Sequence, residues 1–166
     1  MVDDHADISS TGTNSYAFRA KDEGRLAKIH SSKSSRSRHP DKPDGGKFHE
    51  GFPDKSDFIV WWQNQYDQQN GKCEYCGTSF EILANLFDRE ILGKRKTAGQ
   101  GHRGKFPELD RVDPHGSYAK SNCVLACYCC NNDKSHVYLD QKWRDYIGRA
   151  RGQYFQWLYE TRLLKL

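Results

Sequence analysis

Two Cys-x-x-Cys pairs, Cys73 with Cys76 and Cys127 with Cys130, set the tightest limit on what this chain can fold into. Each pair presents two thiolates to one ion, and two pairs complete a tetrahedral site. Residues 77–126 lie between them, so a shared ion ties distant stretches of chain into one unit. A structural zinc held this way contributes roughly 10–16 kcal/mol to folding at neutral pH. That matters in a 166-residue chain whose hydrophobic fraction is 36% and whose mean hydropathy is −0.95, because its core is small and needs a staple. Of the six cysteines, Cys123 and Cys129 are left over and read as small core thiols. Pairing Cys127 with Cys129 instead is the alternative, with a Cys-x-Cys spacing less suited to a zinc knuckle. Four thiolates close the coordination shell, so this metal is structural rather than catalytic.

The reading of those pairs as a metal site agrees with the compartment the sequence suggests. No apolar run approaches the roughly 20 residues that span a bilayer, and Met1-Val2-Asp3-Asp4-His5 is polar, with no apolar signal core behind it. No membrane association is expected. A cytoplasmic, intracellular protein is, and there thiols stay reduced and favour metal over disulfide. The net charge of +4 and a pI near 8.7 tilt the chain mildly toward polyanionic partners.

Residues 1–47 read as an N-terminal arm, disordered or extended and basic. Its centre, Ser31-Ser32-Lys33-Ser34-Ser35-Arg36-Ser37-Arg38, has too little apolar material to order itself. Such an arm either lies along a nucleic-acid backbone or is a solvated leader. Residues 48–166 form the folded domain. Ser56 caps a helix to about Gln69, with Phe58, Trp61, Trp62 and Tyr66 spaced by three and four as a core stripe. Ser79 caps a second helix over 80–92, and residues 94–105 make a flexible basic loop suited to phosphate contact. Strands are expected over 106–112 and 122–126, with the turn Asp113-Pro114-His115-Gly116 between them, then a helix over 130–136. The segment 140–166 reads as a helix with Trp143, Ile147, Ala150, Tyr154, Trp157, Leu158 and Thr161 along one side. That side covers the core or supports a homodimer.

The run Leu109-Asp110-Arg111-Val112-Asp113-Pro114-His115-Gly116-Ser117-Tyr118, with Asn122 and then Cys127-Tyr128-Cys129-Cys130-Asn131-Asn132-Asp133-Lys134, carries the most information. It resembles the ββα-metal core of HNH endonucleases, in the His-Me finger superfamily. The resemblance covers about residues 56–140 and is to the Asp-Arg variant found in phage-type proteins and rare-cutting restriction enzymes. It implies an α+β fold: a small ββα-metal core with a four-cysteine zinc site, flanked by helices. It also implies a metal-dependent DNA endonuclease of phage or bacterial setting that hydrolyses phosphodiester bonds, leaving 5′-phosphate and 3′-hydroxyl ends. Asp110 and Asn131 would then hold a catalytic Mg²⁺ or Mn²⁺, Lys134 would reach the phosphate, and Asn122 would hold the loop through backbone hydrogen bonds.

The chemistry asks for such residues. A phosphodiester repels an attacking water and parts reluctantly with its alkoxide, and one divalent cation offsets both problems. Mg²⁺ keeps several of its waters, so two protein oxygens suffice to hold it.

One position departs from the family pattern. Where the family's general base is His, this chain has Arg111, whose guanidinium stays protonated and cannot take a proton. Tyr118 is the first candidate for a replacement base, if Arg111 and the metal depress a phenol that normally titrates near 10. His115 and His102 are the others, since imidazole needs no such help. Arg111 would then hold the scissile phosphate, and Asp113 would orient Arg111 or begin the turn. His136 follows the helix start, but Asn131 fits the family's final position better. The competing reading is a non-catalytic, zinc-stabilised DNA-binding module with a degenerate site. One active site cuts one strand, so cutting both requires a dimer or two visits.

Overall fold

The computed structural model describes residues 15–37, 47–93, 95–97, 101–135 and 141–164. At its centre an antiparallel pair, β3 (Glu108–Arg111) and β4 (Cys123–Ala126), is followed by helix α6 (Tyr128–Lys134). The register sets Asp110 opposite Val124 and Arg111 opposite Cys123. Every residue of β4 is buried, because helices cover it. This strand–strand–helix unit, with helices around it, is the α+β architecture expected.

Local chemistry explains the flanking helices. In α4 (Lys55–Gln68), Phe58, Trp62 and Tyr66 recur every four residues and are all buried, so the aromatic stripe is core. This helix starts one residue before Ser56, with Asp54 at its N-cap. In α5 (Phe80–Asp88) the Ser79 hydroxyl accepts the Glu81 amide at 3.2 Å. The helix ends short of Leu92 because Glu90 turns to φ 60° and the Ile91 amide returns to the Leu86 carbonyl.

The N-terminal arm is where the structure differs most from expectation. Residues 15–37 are folded as α1 (Ser15–Ala20) and α2 (Glu23–Ser37), with Tyr16, Ala20, Leu26, His30 and Ser34 buried. Few as these residues are, they borrow apolar surface from the rest of the chain. The His30 ring lies against Phe48 and Phe58, with Nε2 3.0 Å from the Phe52 carbonyl, and Arg25 stacks over Trp62 and Phe106. A boundary at residue 47 therefore does not divide arm from domain over this stretch. The rest of the expected arm, residues 1–14 and 38–46, lies outside the described residues. The expected loop 94–105 also differs: β1 (Arg95–Thr97) pairs antiparallel with β2 (Gly101–Arg103).

The C-terminal segment contains α7 (Gln141–Trp143), a π-helical turn (Arg144–Gly148) and α8 (Arg149–Arg162). The expected apolar side is largely its outer one: Ile147, Ala150, Tyr154 and Trp157 are exposed, while Leu158 is buried as read. The inner side is built on glycine. A Cβ on Gly148 would lie 2.3 Å from the Tyr75 carbonyl oxygen, and one on Gly152 2.3 Å from that of Cys76. The helix backbone thus lies flush on the first cysteine knuckle, with Phe155 and Leu158 buried beyond. Likewise Gly51, ending α3 (Lys47–Gly51), abuts the Tyr118 backbone, whose carbonyl oxygen a Cβ would meet at 1.7 Å. No helix among the described residues is long and apolar enough to cross a membrane.

Candidate active site and metal centre

The four sulfurs of Cys73, Cys76, Cys127 and Cys130 all lie within 4.8 Å of one another, and all four residues are buried. The first knuckle closes through Gly77 at φ +66°, whose amide donates to the Cys73 carbonyl at 2.9 Å. The second forms because Cys127 caps α6 with its sulfur, accepting the Cys130 amide at 3.4 Å. The Cys127 amide donates to Cys73 Sγ at 3.2 Å, and Arg151 Nη1 to Cys130 Sγ at 3.6 Å. N–H groups aimed at sulfur are what thiolates ligating a cation require, so the donor set fits a tetrahedral metal. Hydrogen bonding from Cys127 above all pulls the Cys76 thiol far below its usual range. Cys129 stands outside the cluster, half-buried, so the Cys-x-Cys pairing is not the one formed. Cys123 is a core thiol pushed up to about 12 by burial.

Beside this cluster, between β3 and α6, is a cavity of about 170 Å³ lined by Lys33, Asp110, Arg111, Tyr118, Asn131 and Lys134, among others. Five of these six are residues singled out from the sequence. Asp110 is held from two sides at one oxygen: Tyr75 Oη donates to Oδ2 at 2.5 Å, and Lys134 Nζ is 3.3 Å from it. Burial first, and then the Asp110 charge, push the Tyr75 phenol well above its usual value, so it keeps its proton and donates. Tyr75 lies inside the first knuckle, so the cysteine cluster and the aspartate are mechanically joined. Lys134 was expected to reach a phosphate. The structure buries it to 1% exposure, where it donates to the Arg111 carbonyl at 2.5 Å as well as pairing with Asp110. The end of β3 takes up its ammonium.

Asn131, at the fourth position of α6, donates from Nδ2 to Glu108 Oε2 at 2.7 Å. Glu108 is itself gripped in a fork by Arg103 at 2.9 and 2.6 Å, and Arg103 stacks over Tyr128. With its nitrogen taken by a carboxylate, the Asn131 amide has a defined orientation, and its carbonyl oxygen is the atom left to offer a cation. Asp110 and Asn131 both line the cavity, and hard oxygens of this kind suit a divalent ion such as Mg²⁺.

Asn122 secures the turn rather than lining the cavity. Its Nδ2 donates to the Asp113 and Ser117 carbonyls at 3.0 and 2.9 Å, and its Oδ1 accepts the Asp113 amide at 2.9 Å. Asp113 begins the turn, accepting the His115 amide at 2.9 Å. Arg111 donates to the Gly116 carbonyl at 3.0 Å and lies 4.6 Å over the Tyr118 ring. Tyr118 is buried edge-on to Phe48, and Lys33 Nζ donates to its hydroxyl at 3.4 Å. His115 is exposed on the turn and is not among the cavity's lining residues. The His102 side chain and all of His136 lie outside the described residues.

Three participants escaped the sequence reading. Glu108 was recoverable, since residues two apart on a strand share a face and Asp110 follows it. Tyr75 carried no local signal, and Lys33 read only as part of a basic arm, because their place in the site depends on which distant residue they meet.

No family model matches the chain. Over 84 residues it is 36% identical to YoqL, a protein derived from the SPbeta prophage of Bacillus subtilis (strain 168) and named as an HNH endonuclease. That stretch is 51% of this chain and 31% of the relative, so the chain spans about a third of that protein's length. The fold is similar to a solved structure of the rare-cutting HNH restriction endonuclease PacI, with a TM-score of 0.54 and 21% identity. The similarity covers 80% of this chain and 78% of that one.

Proposed function

From an HNH-fold chain that resembles an HNH endonuclease over half its length, we infer a metal-dependent endonuclease hydrolysing DNA phosphodiesters at the cavity between β3 and α6. The observation that carries this reading is the convergence of Asp110, Arg111, Tyr118 and Asn131 on one cavity braced by the four-cysteine cluster. Zinc is the ion proposed for the cysteines. Mg²⁺ or Mn²⁺ is proposed for Asp110 and Asn131, where it would supply charge against the phosphate and the departing 3′-oxygen.

The chain's own residues account for the remaining tasks. Arg111 binds a non-bridging oxygen of the scissile phosphate and offsets the charge that grows there. Tyr118 takes the proton from the attacking water, a role its position against Arg111 and Lys33 supports. Tyr75 and Lys134 hold Asp110 in one orientation, and Asn122 keeps the turn that carries Tyr118. The setting proposed is the interior of a bacterial cell, by analogy with the prophage relative. A second reading, a DNA-binding module without catalysis, draws on the Lys134–Asp110 ion pair, which can balance the carboxylate without a divalent ion.

End analysis of a labelled duplex incubated with Mg²⁺ or Mn²⁺ separates the two readings. The nuclease yields 5′-phosphate and 3′-hydroxyl ends that vanish with EDTA. Intact DNA under every metal, together with retained binding, would establish the module instead.

A further inference from the structure

We propose that Lys33 of α2 is an active-site residue that contacts a phosphate of the nucleic-acid backbone in the cavity beside Tyr118. It lines the cavity together with Asp110, Arg111, Tyr118 and Lys134. Its Nζ is 3.4 Å from Tyr118 Oη and 4.9 Å from the ring centroid, and Arg111 approaches the same ring at 4.6 Å. Lys33 and Arg111 thus meet at Tyr118 on the cavity's lining, beside a Lys134 already engaged by Asp110 and the Arg111 carbonyl. Cationic side chains lining a small, partly enclosed space raise its potential and draw an anionic ligand into it. A phosphodiester is an anion of fitting chemistry, and an ammonium on a flexible stem meets phosphate as a point charge.

The lysine is also delivered there by design of the fold rather than by chance of a loose tail. Leu26, His30 and Ser34 are buried along α2, and Ser34 Oγ lies 3.4 Å from His30 Nδ1. His30 in turn contacts the Phe52 carbonyl, next to the Gly51 that abuts Tyr118. Helix α2 and the tyrosine are therefore registered against each other through α3. A helix outside the strand–strand–helix core supplies part of the cavity's charge.

The inference rests on the phosphodiester substrate proposed above, and the test keeps the two apart. Lys33→Gln keeps a polar side chain one atom shorter and removes the charge, Lys33→Arg restores the charge, and Lys28→Ala, exposed on the same helix, is the control. Binding of a fluorescent duplex is measured without divalent metal across salt concentrations, and cleavage with Mn²⁺, after thermal melts confirm folding. Lys33→Gln is expected to lower the salt slope by about one, the loss of one phosphate contact. It should also slow cleavage roughly 10- to 100-fold, with Lys33→Arg recovering most of both and Lys28→Ala matching the parent. Parent-like slope and rate in Lys33→Gln would overturn the role of Lys33 while leaving the nuclease reading intact. If the parent binds but never cuts, the nuclease reading fails and the salt slope alone decides Lys33. If the parent does not bind DNA, both fall.

Discussion

Replacing Gly152 with alanine should weaken this protein, although the same change in an exposed helix interior ordinarily strengthens one. Alanine is favoured over glycine there by about 0.8–1.0 kcal/mol. At Gly152 the added methyl would lie 2.3 Å from the Cys76 carbonyl oxygen and 3.7 Å from Thr78 Oγ1. Carbon–oxygen contact of that length is forbidden, so α8 must retreat by roughly 1 Å from the knuckle it braces. Overpacking of this kind costs about 1–3 kcal/mol, leaving a net loss of up to about 2 kcal/mol after the gain in propensity. Urea unfolding of the metal-loaded protein, followed by circular dichroism, measures it, and release of metal to a colorimetric chelator shows whether the knuckle loosens with the helix. The control is Ala150→Gly, exposed on α8, which should lose about 1 kcal/mol through propensity without hastening metal release. A Gly152→Ala protein with a higher urea midpoint than the parent would refute the flush contact between α8 and the knuckle.

Two further perturbations follow from hydrogen bonding and burial. Tyr75→Phe removes the hydroxyl that holds Asp110 Oδ2 and should slow cleavage about 10- to 100-fold while leaving metal content of the cysteine site unchanged; parent-like rates would show that Lys134 alone suffices. Cys123, raised from 9.0 to about 12 by burial, stays protonated in the fold while the unfolded chain ionises at its usual value. Its contribution is thus intact below pH 9 and lost as pH climbs toward 12. Native protein should leave Cys123 unalkylated at pH 8.5, and Cys123→Ala should flatten the alkaline fall in the urea midpoint. Ready alkylation of the folded parent at that position would contradict its burial.

What could be read from the sequence was what depends on spacing along the chain. The cysteine pairs, the aromatic stripe Phe58–Trp62–Tyr66 and the order of Asp110, Asn122 and Asn131 are local patterns, and the structure brings four sulfurs together and lines one cavity with Asp110 and Asn131. What stayed illegible depends on the partner surface. Helix α2 looks too polar to fold because its few apolar residues find their complement in Phe48, Phe52 and Phe58, far along the chain. The inner face of α8 escapes any hydrophobic pattern because its closest contacts are made by Gly148 and Gly152, which have no side chain to register. The family resemblance implies that Lys134 reaches a phosphate, and two oxygens at the end of β3 hold it inside the protein.

The central claim, hydrolysis at a cavity organised around Asp110, is tested most directly by supercoiled-plasmid nicking with purified parent and Asp110→Ala, side by side in Mg²⁺, Mn²⁺ and EDTA. The account predicts nicking by the parent with metal only, and none by a folded Asp110→Ala protein that still carries its cysteine-bound metal. Equal nicking by the two proteins would contradict it.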